Sequence, residues 1–299
     1  MDIKEFEIPV PWGHIAAKTW GSEKNTPVLL MHGISDNIGS FECLIPYLRE
    51  DFYYICIDLP GHGKSSRFSP YLPVTLVNFI LTIILIADYL KRDKYVLIGH
   101  SWSGHTAIMF TLLYPERVSK LILLDVIFPY PLSVDYFKHF IRDRIDYLSK
   151  MNKKRSSNPS PSYTYNQAFK RIQKNRMYGE ATNEATKALT ERSLIPLKNG
   201  KFQFSSDFRL KLFYNTLFGK EFTTELIKQY PVMCPVLFVI ANNSIPSAQY
   251  FRSFLKELWK HNNQCFLRTL DGNHDVHMNN PKIVAPIINA FLVYKSSKL

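Results

Sequence analysis

"GHSWSG", residues 99–104, lies between the apolar run Tyr95, Val96, Leu97, Ile98 and the helix-like run Thr106, Ala107, Ile108, Met109, Phe110. A buried strand that turns at once into a helix leaves the residue at the turn strained and accessible. Side chains two before it or two to three after it would collide with strand and helix. Gly99 and Gly104 meet that demand, and Ser103, where glycine is usual, carries nearly the smallest alternative side chain. The stretch reads as a nucleophile elbow with Ser101 as the nucleophile; the competing reading is one more serine in a turn.

Working outward, short β-like runs recur with helical stretches between them: Pro27 to Met31, Phe52 to Ile57, Tyr95 to Ile98, Val118 to Leu124, Val236 to Ile240 and Cys265 to Leu270. Such alternation predicts a mostly parallel sheet covered by helices on both faces. Ile3 to Val10 and His14 to Trp20, around Trp12-Gly13, read as an antiparallel hairpin at its edge. After Asp125 the alternation stops for about a hundred residues rich in Lys, Arg, Tyr, Asn and Ser, and it resumes at Pro235. The expected organisation is a first part of the core over 1–127, a helical cap over 128–228 and the rest of the core over 229–299. Within the cap, Asn166 to Met177 and Glu180 to Arg192 read as amphipathic helices, whereas "SSNPSPSY" (156–163) does not read as helix.

An elbow serine demands an oxyanion hole from an earlier strand-to-helix loop, then an acid, then a histidine. "VLLMHGISDN" offers the first, with the Ile34 amide partnered by the Trp102 amide that follows the nucleophile. "DGNHDVHMNNP" offers the last: His274 is preferred because Gly-Asn before it suits a tight loop, and His277 is the competitor. The acid is harder to place. The penultimate strand ends "FVIANNSIPS", and the first carboxylate after it is Glu257, deep in the next helix. Asn242 or Asn243 could orient a histidine without stabilising its charged form, so Asp125, at the end of "KLILLD", is the expected acid. Its alternative role is a structural one at the base of the cap.

Together "VLLMHGISDN", "FYYICIDLPGHGKSS", "YVLIGHSWSG", "KLILLD" and "GNHDVHM" resemble the α/β-hydrolase superfamily, and within it most closely the serine hydrolase-like proteins of animals. The resemblance covers residues 27–130 and 263–293 and is weak across the cap. It implies the α/β-hydrolase fold with a cap inserted after the strand ending at Asp125, and, by likeness to dehalogenase-like members, an acid at that position. Dehalogenases and epoxide hydrolases use an aspartate nucleophile where this chain has Ser101, so their chemistries are disfavoured. "DLPGHGKS" (58–65) is similar to a family loop that shapes the floor of the site.

The reaction expected is hydrolysis of a carboxylic ester through an acyl-serine, without metal or cofactor. His274 acts as base, Asp125 supports it, and Ile34 and Trp102 bind the oxyanion. Phe128, Tyr130, Tyr136, Phe137, Phe140, Tyr163, Tyr165 and Phe169 are candidates to line an apolar pocket. The alternatives are an acyl-CoA thioesterase and a non-catalytic ligand-binding scaffold. The net charge of +12 gathers at Lys150, Lys153, Lys154 and Arg155 and at Lys170, Arg171, Lys174 and Arg176. Without a recognition motif these read as a solvated face rather than a nucleic-acid site.

Cys43, Cys56, Cys234 and Cys265 lack ligand spacing and read as buried free thiols. The amino terminus does not read as a signal peptide, and the apolar stretch near Leu76 to Leu90 is too short and too interrupted to span a bilayer. The expectation is a soluble intracellular protein. Ser297, Lys298 and Leu299 spell a peroxisomal address, which implies the import receptor as a partner and the peroxisome as location.

Overall fold

The computed structural model describes residues 1–69, 74–128, 134–157, 161–212, 219–244 and 251–295. Ser297, Lys298, Leu299 and Tyr130 lie outside them, as do the side chains of Tyr136, Lys153, Lys154 and Arg155. The strands are β1 (Ile3–Val10), β2 (Gly13–Trp20), β3 (Thr26–Met31), β4 (Phe52–Ile57), β5 (Tyr95–His100), β6 (Val118–Leu124), β7 (Leu194–Pro196), β8 (Phe202–Phe204), β9 (Val236–Ala241) and β10 (Cys265–Leu270). Eight of them form one sheet in the order β1-β2-β4-β3-β5-β6-β9-β10. Its β1–β2 and β2–β4 pairs are antiparallel and the rest are parallel.

The helices are α1 (Gly39–Glu42), α2 (Leu76–Leu90), α3 (Trp102–Leu113), α4 (Val134–Ser157), α5 (Tyr165–Lys174), α6 (Asn183–Ser193), α7 (Lys220–Gln229), α8 (Arg252–His261), α9 (Val276–Asn279) and α10 (Pro281–Val293). The two-residue period of the strands sorts the core into two layers. Leu29, Met31, Leu97, Leu121, Leu123 and Phe238 point to the face covered by α2, α3 and α8. Val28, Leu30, Val96, Ile98, Ile122 and Val239 point to the other face, with Val284, Ile288 and Phe291 of α10. Every residue of β4, β5 and β9 is buried, which explains why these strands read as unbroken apolar runs. None of the helices among the described residues is long and apolar enough to cross a membrane.

Between β6 and β9 lie α4 to α7 and one feature that helical periodicity does not announce, the antiparallel pair β7–β8. Strands of three residues are too short to show a period. Helix α4 continues through Ser156 and Ser157, against the expectation of no helix over 156–163; proline restricts the chain only from the residue before Pro159 onward. Helix α5 begins at a capping box in which Thr164 and Gln167 satisfy one another's backbone amides. It ends at Lys174, short of the expected Met177, and the chain from Asn175 turns down onto the sheet's carboxyl edge. Cys43, Cys56 and Cys234 are buried free thiols as expected, whereas Cys265, first residue of the edge strand β10, is partly exposed.

Candidate active site

In an open parallel sheet, loops at the carboxyl ends of the strands meet where the strand order changes direction. Here β3 is followed outward by β4 on one side and by β5 on the other. The loops after β3, β5, β6 and β10 carry Ile34, Ser101, Asp125 and His274.

The turn from β5 into α3 holds Ser101 at φ 53° and ψ −120°, a conformation that costs an L-residue energy and lifts its side chain off the sheet. Two glycines permit the turn. A Cβ on Gly99 would lie 2.7 Å from the Gly104 Cα, and one on Gly104 would lie 2.2 Å from a Val126 methyl carbon. The close approach therefore runs between Gly99 and Gly104, and position 103 has room for serine. The Ser103 hydroxyl is fully buried between the Met31 carbonyl and the His100 carbonyl, 3.0 Å away, and accepts from the His100 amide at 3.1 Å.

His274 Nε2 is 2.7 Å from Ser101 Oγ, and its Nδ1 is bonded to Asp125 Oδ2. With Nδ1–H donated to the carboxylate, Nε2 is left to accept the serine proton. Asp125, buried and itself at φ 52°, is fixed by donors on β9 and the loop after it. Its Oδ1 accepts from the Ala241 amide at 2.8 Å and from the Ser244 hydroxyl at 2.7 Å, and its own amide donates to the Val239 carbonyl at 2.7 Å. The carboxylate thus reaches across the end of β9 to a histidine carried by β10.

The competing residues are engaged elsewhere. Asn242 Oδ1 accepts from the Gly272 amide at 3.1 Å and so shapes the histidine loop, and Glu257 pairs with Lys260 and His261 on α8. His277 is fully buried, its ring packed 4.1 Å from that of His100 and 5.5 Å from Phe41.

The loop after β3 presses against the elbow: a Cβ on Gly33 would lie 3.3 Å from the Ser101 Cβ and 2.8 Å from His100 Nδ1. Ile34 follows directly. Across from it, Trp102 is the first residue of α3, so its amide has no acceptor within the helix and carries the positive end of the helix dipole. His100 donates from Nε2 to the His274 carbonyl at 2.9 Å, holding the backbone of the relay histidine. Burial lowers the His100 pKa to about 4, assisted by the His274 charge, so the ring is a neutral donor at physiological pH.

Two buried ionic clusters join the insertion to the rest of the chain, and most of this is not legible in the sequence. Arg176, expected in a solvated basic face, is instead largely buried between Asp36 and Asp275. The sign that could have found it is the pair of aspartates placed two and one residues after Ile34 and His274. Arg192 of α6 is buried against Asp58 and Glu5, and Asp58 also receives the Ile38 and Lys64 amides at 2.8 Å. Lys170 and Lys174 form no ion pair among the described residues, and Arg171 lies over the Tyr163 ring at 5.4 Å. Phe128, a candidate pocket residue, is part of the core and packs against Phe254 at 4.5 Å. Tyr178 meets the His274 ring edge-on at 6.0 Å.

A family profile described as alpha/beta hydrolase fold matches residues 26–281. Human serine hydrolase-like protein 2 is 34% identical over 97% of this chain and 94% of its own. A hypothetical protein of Pseudomonas aeruginosa PAO1 superposes with a TM-score of 0.82 at 24% identity, covering 97% of this chain and 99% of the other. The thioesterase domain from the curacin biosynthetic pathway superposes at 0.76 with 21% identity, covering 96% and 99%. With an elbow after the central strand, a serine, a histidine and a carboxylate joined at the sheet's carboxyl edge, and these likenesses along nearly its whole length, the chain belongs to the α/β-hydrolase fold family, among the serine hydrolase-like proteins.

Proposed function

We propose that this protein hydrolyses carboxylic esters of apolar small molecules or lipids through an acyl-serine intermediate. The observation that carries the reading is the unbroken relay from Ser101 Oγ through both ring nitrogens of His274 to the buried Asp125 carboxylate. His274 removes the Ser101 proton as Oγ attacks the ester carbonyl, and Asp125 stabilises the imidazolium that forms. The Ile34 and Trp102 amides receive the oxyanion, where one donor is worth about 3–4 kcal/mol in the transition state. The imidazolium then protonates the departing alcohol, and water, activated by the same ring, releases the acid. The insertion between β6 and β9 acts as a cap over this centre, and the half-exposed Tyr178 ring beside His274 favours an apolar substrate group.

Incubation with a fluorophosphonate and peptide mass spectrometry tests the reading. Rapid adduct formation on Ser101 is expected, slowed by Asp125→Asn and abolished by His274→Ala. A folded sample that resists the probe would favour the ligand-binding scaffold instead, and labelling indifferent to Asp125→Asn would refute that residue as the acid.

A second reading, hydrolysis of an acyl-CoA thioester, is favoured by one specific feature. Lys170, Arg171 and Lys174 line a groove of about 550 Å³ beside Tyr163, with no carboxylate among the described residues on its walls. Such a groove attracts polyphosphates, and salt screens exposed charges over a Debye length of about 8 Å at physiological ionic strength. If this reading holds, kcat/KM for an acyl-CoA falls about tenfold between 50 and 500 mM NaCl while that for a neutral ester is unchanged. Equal salt dependence for both removes the role of the groove.

A further inference from the structure

Arg176 stands in the stretch joining α5 to α6, 99 residues before Asp275 and 140 after Asp36. Its Nε donates to Asp275 Oδ2 at 2.7 Å and its Nη2 to Asp275 Oδ1 at 2.5 Å. Toward the other carboxylate, Nη1 lies 2.5 Å from Asp36 Oδ1 and Nη2 lies 3.2 Å from Asp36 Oδ2. The Asp36 and Asp275 side chains are 2% and 1% exposed and that of Arg176 12%. Charged groups so far from water are retained only where paired and fully hydrogen-bonded, and breaking such a pair leaves a costly bare charge.

The position of the two carboxylates matters more than their burial. Asp36 belongs to the loop that presents the Ile34 amide, and its own amide closes a turn on the Gly33 carbonyl at 3.2 Å. Asp275 directly follows His274, and its amide is held by Asn273 Oδ1 at 3.1 Å. One guanidinium therefore joins the loop assigned to the oxyanion with the loop carrying the general base. The planar fork suits such a bridge because its two edges meet two carboxylates in fixed directions, which a single ammonium cannot reproduce.

Resting on the esterase reading, we propose that Arg176 is a positioning residue for the reaction: the cap completes the catalytic geometry by setting the distance between the oxyanion donors and His274. The neighbouring contacts run the same way. Asn279 Nδ2 donates to the Glu180 carbonyl at 3.1 Å, the Thr182 amide donates to Asn279 Oδ1 at 2.9 Å, and a Cβ on Gly179 would lie 2.7 Å from Asn273 Nδ2. Errors of about 1 Å in such a site cost on the order of a hundredfold in rate.

Arg192 supplies an internal control. It is also buried and also ties the cap to the core, but through Asp58 and Glu5; Asp58 meets the loop after β3 only at the Ile38 amide, four residues beyond Ile34, and neither carboxylate lies on the loop of His274. The test measures the second-order rate of fluorophosphonate labelling at Ser101, and kcat and KM for a neutral ester, in wild type, Arg176→Lys, Asp36→Asn and Arg192→Lys, each confirmed folded by circular dichroism. Arg176→Lys and Asp36→Asn are expected to label at least tenfold more slowly and to lose kcat with KM within twofold of wild type. Arg192→Lys is expected to melt earlier yet to label within twofold of wild type.

Should Arg176→Lys fail to fold, Asp36→Asn carries the same expectation from the other end of the link. Labelling of the folded variants at the wild-type rate overturns the inference, as does an equal loss in Arg192→Lys or a rise in KM alone. Wild-type protein that resists the probe refutes the esterase reading first, and this inference with it.

Discussion

On the proposed esterase mechanism, Ser101→Ala is expected to lower kcat/KM for a test ester by about 10⁶-fold, and the double variant with His274→Ala to be no worse than either single one, because a nucleophile and its base act as a unit. The 2.7 Å contact between Ser101 Oγ and His274 Nε2 is the observation behind this expectation. Asp125→Asn is expected to cost about 10⁴-fold, since it holds the tautomer rather than taking part in bond formation. A rate enhancement of about 10³-fold over water is expected to remain after all three are removed, supplied by the proposed oxyanion donors Ile34 and Trp102 and by substrate binding. Steady-state kinetics on the purified variants checks the pattern. Multiplicative losses in the double variant would show that the two side chains do not share one proton transfer.

The second large effect expected is a steep loss of stability in mild acid. His32, His62 and His100 are buried, and burial is the main cause that lowers their pKa values from 6.5 to about 4, about 3 and about 4. His277, also fully buried, is lowered well below its ordinary value by the same cause, with the His100 and His274 charges adding to it. Three of these rings sit where a neutral ring is needed. His32 Nδ1 donates to the Gly33 carbonyl at 2.8 Å while Nε2 accepts from the Leu59 amide at 3.0 Å; His62 accepts from the Ser35 amide at 3.1 Å, and His100 packs beside His274 and His277.

Above pH 6.5 these rings are neutral in both the folded and the unfolded chain and contribute no pH dependence. Below it the unfolded chain takes up protons that the folded one refuses, so stability falls as pH falls from 6.5 toward the folded values near 4 and 3. At pH 5 His32, His62 and His100 each cost about 2 kcal/mol, about 6 kcal/mol together, within the 5–15 kcal/mol that holds a typical domain folded, and His277 acts in the same direction. Urea unfolding at pH 7.5, 6.5, 5.5 and 5.0 should show a flat upper limb and a steep decline below pH 6.5. Constant stability down to pH 5 would mean that these rings accept protons in the folded state.

Local pattern carried much of this architecture into view. All eight strands of the main sheet are legible as apolar runs or alternating segments, because a two-residue period and a bounding turn need only a few consecutive residues. The elbow is legible for the same reason: Gly99, Ser101 and Gly104 sit within six residues, and the steric demand between them is local. The short pair β7–β8 is not, and neither is the early end of α5, where Asn175 leaves the helix to bring Arg176 down to the sheet.

Order along the chain was enough to name Ser101, to point to the loops after β3 and β10, and to mark the region between Asp125 and Val236 as something other than sheet. Which groups meet, and in what state of charge, belonged to the tertiary structure. Asp125 faces His274 because β9 lies between β6 and β10 and ends with donors that turn the carboxylate across it. Arg176 left the solvated basic face because two aspartates from opposite ends of the chain bury it, while Lys170 and Lys174, a few residues earlier, line an open groove instead. A strand or a tight turn is decided by neighbours in sequence. The pairing of a buried charge is decided by whichever opposite charge the folded chain brings within hydrogen-bond reach, and that is a property of the whole fold.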